Sequence, residues 1–365
     1  MRVDQEEETC NKSKREILIR ELSLKLNDRD EFLQVKIQAA KDIRKIAKSS
    51  VKARSCCGVA GIIQPLISML SCSNLEATES ALLALLNIAA RNERNKVTIV
   101  TSGAVPSLVE LLKSQNGHLR DLATAAILTL SSSPSNKPTI AISGAIPLLV
   151  QTLSSSSVQG KVDAVTALYN LSTCTKNSTP VITAEAVSPL LTLLQECKKY
   201  SKFAEKTSAL LGILANSEEG RLAISDSTLG ILTLVETVED GSLISTEHAV
   251  GALLSLCWSC RNKYRELILK EGAIPGLLRL TVEGTAIAQE RARTLLDLLR
   301  DSPQKRLPAS SLLESIISDI ALRVDGADKA AAETANRLLL DMVQRGMELS
   351  ICHLQLKAAS FTPSQ

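Results

Sequence analysis

The residue types that most often carry chemistry are sparse in this chain and do not converge. Cys257 and Cys260 have the C-x-x-C spacing of redox and metal sites. Such a site also needs a βαβ context or a second Cys or His pair, and the sequence offers neither. His118, His248 and His353 are too far apart in the chain to share a metal. Since no Walker or dinucleotide motif occurs either, we predict no catalytic residue, no metal site and no cofactor.

A basic run between residues 36 and 54 suggests a different chemistry, the binding of an anion. It contains one acid, Asp42, and seven cations: Lys36, Lys41, Arg44, Lys45, Lys48, Lys52 and Arg54. One interpretation is a solvated capping helix, and the other is a docking site for an acidic partner or a phosphopeptide. Nucleic acid is a weaker candidate, because the run is short and the chain has only three Phe, three Tyr and one Trp for base stacking.

The composition of the 365 residues points to helices. Apolar residues make up 45% of the chain but aromatic residues only 2%, a balance that favours helix packed on helix. The net charge of +3 is too small to indicate nucleic acid by itself. No apolar stretch reaches 18 residues, the N-terminus has no apolar signal core, and the nine cysteines are irregularly spaced. We therefore expect no membrane span, reduced thiols and a cytoplasmic or nuclear location.

The elements that must position these residues come from an internal repeat. Related segments, among them GAVPSLVELL and GAIPLLVQTL, begin at residues 61, 103, 144, 185, 229 and 272, so the repeat has a period of about 42 residues. In each unit a polar stretch precedes a Gly, which the segments at 185 and 229 replace. A Leu-rich run, a polar loop and a longer Ala/Leu run follow. Apolar residues in that last run, such as Ala81, Leu82, Leu85 and Ile88, recur at helical spacing. Each unit is therefore predicted to be a short helix, a tight corner at the Gly, a second helix, a loop and a third helix.

These motifs resemble the armadillo repeat. The pattern S-G-A-[IV]-P occurs at Gly103 and Gly144, and the third helix that ends ALYNLS at Ser172 has the family's A-L-x-N-[LI]-[SA] form. The phrases HAVGALLSLC, EEGRLAI and RARTLLDLLR resemble the armadillo region of plant U-box ubiquitin ligases. The resemblance implies an all-α fold, a right-handed superhelical solenoid of three-helix repeats. No U-box fits ahead of the first repeat-like helix near Asp30, so the resemblance does not carry ligase activity with it.

The resemblance also implies a binding surface. In the family an extended peptide lies along the concave groove of the third helices, held by an Asn near each helix end; an amide can pair with both polar groups of a peptide unit. The matching positions here are Lys45, Asn87, Thr129, Asn170, Ile213, Ser255 and Leu298. Four residues earlier, where importin-α-like members have Trp, this chain has none, which argues against a nuclear-import receptor. The predicted groove residues are Lys41, Lys45, Lys48, Asn87, Thr129, Asn170 and Ser255. Asn87 and Asn170 have an alternative role, in capping or local backbone contacts.

The predicted domains are a short charged segment over residues 1–27, partly disordered or helical, then a solenoid over 28–302 with an N-terminal cap and about six repeats. Helices over 309–359 follow, opened by a capping box at Ser311, and either cover the last repeat or mediate dimerisation; a monomer is expected. We predict a non-catalytic adaptor that binds other proteins, through a peptide or a helix, in intracellular signalling and in a plant. The alternative is the substrate-recognition component of a ubiquitin ligase whose catalytic module is another chain.

Overall fold

The computed structural model describes residues 2–28, 31–174 and 177–300, with side chains from residue 15 onward. Helices form all of the regular secondary structure in these residues, which confirms the all-α prediction. The predicted C-terminal helices over 309–359 lie outside the described residues. The described residues divide into two compact units, the first ending at Glu196 and the second beginning at residue 197.

The first unit contains thirteen helices in three recurring roles. The first helices of the repeats are α3 (Val51–Val59), α6 (Glu93–Thr101), α9 (Lys137–Ile142) and α12 (Ser178–Thr183), with a 3₁₀ turn at Pro134–Asn136 before α9. The second helices are α4 (Ile63–Leu70), α7 (Ala104–Leu112), α10 (Ala145–Ser155) and α13 (Val187–Glu196). The third helices are α5 (Leu75–Ala89), α8 (Gly117–Ser131) and α11 (Val158–Ser172). They follow α1 (Arg2–Asn27) and α2 (Leu33–Ser49), of which α2 packs against α5 as a third helix does.

The second unit continues the same order. It begins with the third helix α14 (Lys202–Leu214). Two complete sets follow: α15 (Glu218–Asp226), α16 (Gly230–Asp240) and α17 (Leu243–Ser259), then α18 (Arg261–Lys270), α19 (Ile274–Glu283) and α20 (Ala286–Leu299). Within this unit α14 packs on α17 and α17 packs on α20. Because one repeat cannot bury its own apolar stripe, each third helix completes the core of its neighbour.

The corners between first and second helices depend on backbone that only glycine adopts readily. Gly61, Gly103, Gly144 and Gly272 have φ values of 71°, 87°, 84° and 76°. The helices on either side of the corner at Gly61 are bent by 82°, and those on either side of Gly144 by 87°. At the fourth corner Glu185 takes the same left-handed conformation, with φ of 59°, although its Cβ is unfavourable there. A left-handed residue therefore sets the direction change at five of the six corners, and it is Gly at four of them; the corner at Leu229 has a φ of −111° instead.

Polar residues before the third helices begin them. Asn74, Asn116 and Ser157 each accept a hydrogen bond from a backbone N–H in the first turn of α5, α8 and α11. Ser242 and Thr285 do the same for α17 and α20. These caps explain why a Ser, Thr or Asn directly precedes each of these third helices. The predicted stripe of Ala81, Leu82, Leu85 and Ile88 is buried, as expected for the core face of α5.

Within the described residues, no single helix has the length and apolar content to cross a bilayer; two bent pairs, α3 with α4 and Pro134–Ile142 with α10, reach it only when joined.

Candidate protein-binding surface

In the first unit, α2, α5, α8 and α11 stack side by side and leave one face of each helix partly open. We call this face the third-helix face. Its two rows are four residues apart on every helix, a spacing that brings side chains one above the other. The rows are Lys41, Leu83, Ala125 and Thr166, and Lys45, Asn87, Thr129 and Asn170. All of these are half-buried except Lys45, which is exposed, so they form a continuous accessible surface.

The polar residues predicted to hold a peptide are already bonded within the protein. Asn87 donates from Nδ2 to the carbonyl of Leu83 at 3.0 Å, and Thr129 donates to the carbonyl of Ala125 at 2.8 Å. Asn170 donates to the Oγ of Ser131, on the neighbouring third helix, at 3.3 Å. The Asn87 bond is of the local backbone kind considered as an alternative role, whereas the Asn170 bond joins two neighbouring third helices. Each of these bonds uses one of the two N–H groups of the asparagine Nδ2, so a partner could still pair with the second N–H and with the amide oxygen.

The second unit has its own third-helix face, built by α14, α17 and α20. Ser255 of α17 donates to the carbonyl of Ala215, the C-cap residue of α14, at 2.6 Å. One turn earlier, Gly251 leaves room for the guanidinium of Arg291, whose Nη1 would lie only 2.9 Å from a Cβ at that position. Arg291 is held there by a 2.9 Å bond to the carbonyl of Glu247. The guanidinium of Arg291 thus packs against Gly251 on this face.

His248 borders the same face but is poorly suited to carry charge. Burial is the main cause that lowers its pKa, and the positive charges of Arg291 and Lys206 act in the same direction. The carboxylates of Glu247 and Glu205 oppose them without reversing the shift. His248 therefore contributes a neutral imidazole at neutral pH.

The two C-x-x-C cysteines differ in their exposure to solvent. Cys257 is buried in α17, where burial raises its pKa to about 11, whereas Cys260 is exposed beyond the helix end. A buried, protonated thiol is a poor nucleophile and a poor ligand. Among the described residues, no three His, Cys, Asp or Glu side chains are grouped as metal ligands.

At the α2 end, the third-helix face is a charged groove. Nine residues of α2 and α5 line a cavity of about 500 Å³: Gln38, Lys41, Arg44, Lys45, Lys48, Glu76, Glu79, Ser80 and Leu83. A second cavity, of about 210 Å³, shares Lys48 with the first and is lined further by Ala47, Arg54, Asn87, Ala90 and Arg91. We call the two together the basic groove. It includes the predicted residues Lys41, Lys45, Lys48 and Asn87.

The cations of the basic groove differ in what they contact. Lys41 pairs with Glu76 at 2.7 Å and Lys45 with Asp42 at 3.1 Å. Arg54 is structural, since it donates to the carbonyls of Ala47 and Ala90 at 3.1 and 2.6 Å and so caps the ends of α2 and α5. Arg54 of the basic run therefore stabilises the fold, Lys41 and Lys45 form ion pairs, and other cations of the groove are available for a ligand.

Asp42, the acid of the basic run, is held in its charged form by its neighbours. Its partial burial acts to raise the pKa, but hydrogen bonds from Gln38 and Lys45 and the charges of Lys45 and Lys25 lower it below its usual value. The net lowering means that the surroundings favour a negative charge.

Sequence reasoning missed several residues of this groove. Glu76, Glu79, Leu83 and Arg91 belong to α5 or follow it, one repeat beyond the basic run. Leu83 and Asn87 occupy the same repeat positions as Lys41 and Lys45, so the period itself indicates that α5 forms the opposite wall. Nothing in the period indicates that Arg54 turns away to cap helices.

The repeat region of this chain is similar to a known family and to curated proteins. A family described as the plant U-box protein ARM repeat region matches residues 142–317. U-box domain-containing protein 45 of Arabidopsis thaliana is 32% identical over 86% of this chain and 40% of its own length. U-box domain-containing protein 9 of the same plant is 35% identical over 81% of this chain and 64% of its own length. The chain thus spans less than two thirds of either relative.

The fold also has a counterpart among solved structures. The crystal structure of an engineered protein has a TM-score of 0.69 at 21% identity, covering 87% of this chain and 76% of that one. At that identity the likeness concerns the fold alone.

Proposed function

The chain is an armadillo-repeat protein whose repeats belong with those of plant U-box proteins, and from that premise we propose that it is a non-catalytic scaffold that binds other proteins along its third-helix faces. The observation that carries the proposal is the stack of α2, α5, α8 and α11, which leaves two aligned rows of half-buried side chains open to a ligand.

The dimensions of this surface suit a protein segment. Packed helices are about 8–10 Å apart and an extended chain rises about 3.3 Å per residue, so each third helix meets about every third residue of a bound peptide. The rows mix small, apolar and polar side chains, which favours contact with a peptide or a helix over the recognition of a small molecule.

A photo-crosslinking experiment tests where a partner binds. Thr166 and Thr192 form a matched pair, because each hydroxyl bonds to the carbonyl four residues earlier in its helix. Thr166 lies on the third-helix face, whereas Thr192 is exposed on the second helix α13. A photoreactive amino acid at position 166 should crosslink a partner from a plant extract, and the same residue at 192 should not. Equal crosslinking at both sites, or crosslinking only at 192, would contradict the proposal.

The names of the relatives favour a second candidate, substrate recognition in ubiquitin ligation. In that case the third-helix faces select the substrate and a catalytic module on another chain transfers ubiquitin. The partner recovered through position 166 should then be ubiquitinated faster when this protein is added to ubiquitin, activating enzyme, conjugating enzyme and a separate U-box ligase. Chain formation without the separate ligase would overturn the non-catalytic assignment. No change in rate would leave the scaffold as the better description.

A further inference from the structure

The basic groove contains three cations that no acid of the described residues neutralises. Arg44, Lys48 and Arg91 are exposed, and none forms an ion pair with a carboxylate of the part of the chain that is described, in contrast to Lys41 and Lys45. They extend through both cavities, because Arg44 lines the first, Arg91 lines the second and Lys48 lines both.

The spacing of these cations selects the kind of anion. Arg44 and Lys48 are one helical turn apart on α2, about 6 Å along the helix axis at 1.5 Å per residue. Side chains on one face of an extended peptide recur every second residue, about 6.6 Å apart. A segment that follows α2 within the groove, rather than crossing from one third helix to the next, therefore has acids at alternate positions opposite Arg44 and Lys48, and Arg91 lines the cavity beyond. A single phosphate would engage only the cations within its reach, whereas an extended segment with several acids can meet cations in both cavities.

The floor of the groove complements such a peptide. Leu83, Ala47 and Ala90 are small or apolar and leave space for the residues between the acids. Asn87 lines the second cavity, and its amide, whose Nδ2 is bonded to the carbonyl of Leu83, has an oxygen that can accept a peptide N–H.

The geometry points to an extended acidic segment of a partner protein, with Asp or Glu at alternate positions, as the ligand of the basic groove. This inference rests on the proposed scaffold function and adds the chemistry of its partner. The attraction acts between exposed charges, so it contributes mainly through association rate and specificity and weakens with salt.

Fluorescence anisotropy with three labelled peptides tests the inference on the full chain. The first has Glu at three alternate positions between Gly and Ser, the second has Gln at the same places, and the third has one phosphoserine and no Glu. The Glu peptide should bind at least about tenfold more tightly than the Gln peptide at low salt, and the difference should shrink as salt is raised.

Charge reversal locates the site. Arg44→Glu and Lys48→Glu should each weaken the Glu peptide about fivefold or more. Arg94→Glu makes the same change in charge at an exposed position on α6 outside the groove and should alter binding less than about twofold. Circular dichroism checks that all three variants are folded, and a groove variant that loses helicity is replaced by Arg44→Gln or Lys48→Gln.

Three results would overturn the inference: equal binding of the Glu and Gln peptides, equal effects of Lys48→Glu and Arg94→Glu, or preference for the phosphoserine peptide, which would make the site a phosphopeptide site. Crosslinking of a partner at position 166 does not depend on these charges. If that crosslinking persists while the Glu peptide fails to bind, the scaffold stands and the acidic ligand is wrong.

Discussion

Asn136 offers the sharpest test of how the repeats are held together. It is 1% exposed and lies at the end of the 3₁₀ turn before α9. Its Nδ2 donates to the carbonyl of Leu130 in α8 and to that of Lys96 in α6, both at 3.1 Å. One side chain thus joins three elements of two successive repeats. Asn95 makes the equivalent pair of bonds one repeat earlier, to Ile88 and Arg54.

Asn136→Ala should lower the free energy of unfolding by about 2 kcal/mol, since each lost hydrogen bond contributes about 1 kcal/mol net. The loss is limited because the carbonyl of Leu130 keeps a backbone donor, the N–H of Ser133 at 3.2 Å. The loss is not smaller, because alanine has no donor for the carbonyls of Lys96 and Leu130, and a site that is 1% exposed does not admit water in its place.

Urea unfolding of the full chain, followed by circular dichroism, measures the change. Native-state hydrogen exchange locates the change: we expect faster exchange than in the parent in α8 and α9, and unchanged exchange in the second unit. Asn262→Ala, an exposed position on α18, is the control and should stay within about 0.5 kcal/mol of the parent. If Asn136→Ala were no more destabilising than that control, the buried asparagine would not hold the repeats together.

Three further predictions concern single side chains. Glu185→Gly should raise stability by up to about 1 kcal/mol in urea unfolding, because glycine accepts the φ of 59°, whereas Glu185→Ala should give no gain. At pH 8 a water-soluble thiol reagent should label the exposed Cys260 but not Cys57, because burial raises the pKa of Cys57 to about 12. Mass spectrometry of the labelled peptides measures this, and a labelled Cys57 would contradict the prediction. Burial, together with the charge of Asp121, raises the pKa of Asp163 against a hydrogen bond from Gln159, so its ionised form destabilises the fold above that pKa. Asp163→Asn should therefore raise the urea concentration at the midpoint of unfolding at pH 7. The gain should vanish as the pH falls below the pKa of Asp in the unfolded chain, about 4, and a gain that did not change with pH would contradict this account.

The repeat and its helices could be predicted because their causes are local. The corner glycines, the polar caps and the Ala/Leu stripes act within a few residues of themselves, and they recur at a constant period. Gly103 and Gly144 have the expected positive φ, and Asn74 and Asn116 cap the third helices that follow them. The resemblance to plant U-box repeats is confirmed by the family match and by the relatives.

The candidate surface could be predicted only in part. The resemblance to the armadillo repeat assigned Lys41, Lys45, Asn87 and Asn170 to one face, but it did not reveal what each side chain binds. Asn87 turns back to its own helix and Asn170 reaches a neighbouring helix, and both contacts depend on how closely helices approach. The predictions that name these residues as partner contacts remain to be tested by crosslinking and peptide binding.

The sequence by itself determined the period, the helix order and the charge of the α2 region, because these follow from residue spacing along one chain. Only the tertiary structure decided which cations are available. Arg54 and Lys48 are six residues apart in the same basic run, yet Arg54 caps two helices and Lys48 is exposed in the groove. That difference depends on the carbonyl of Ala90, 36 residues away in the chain, which comes within reach of Arg54 only when the repeats stack.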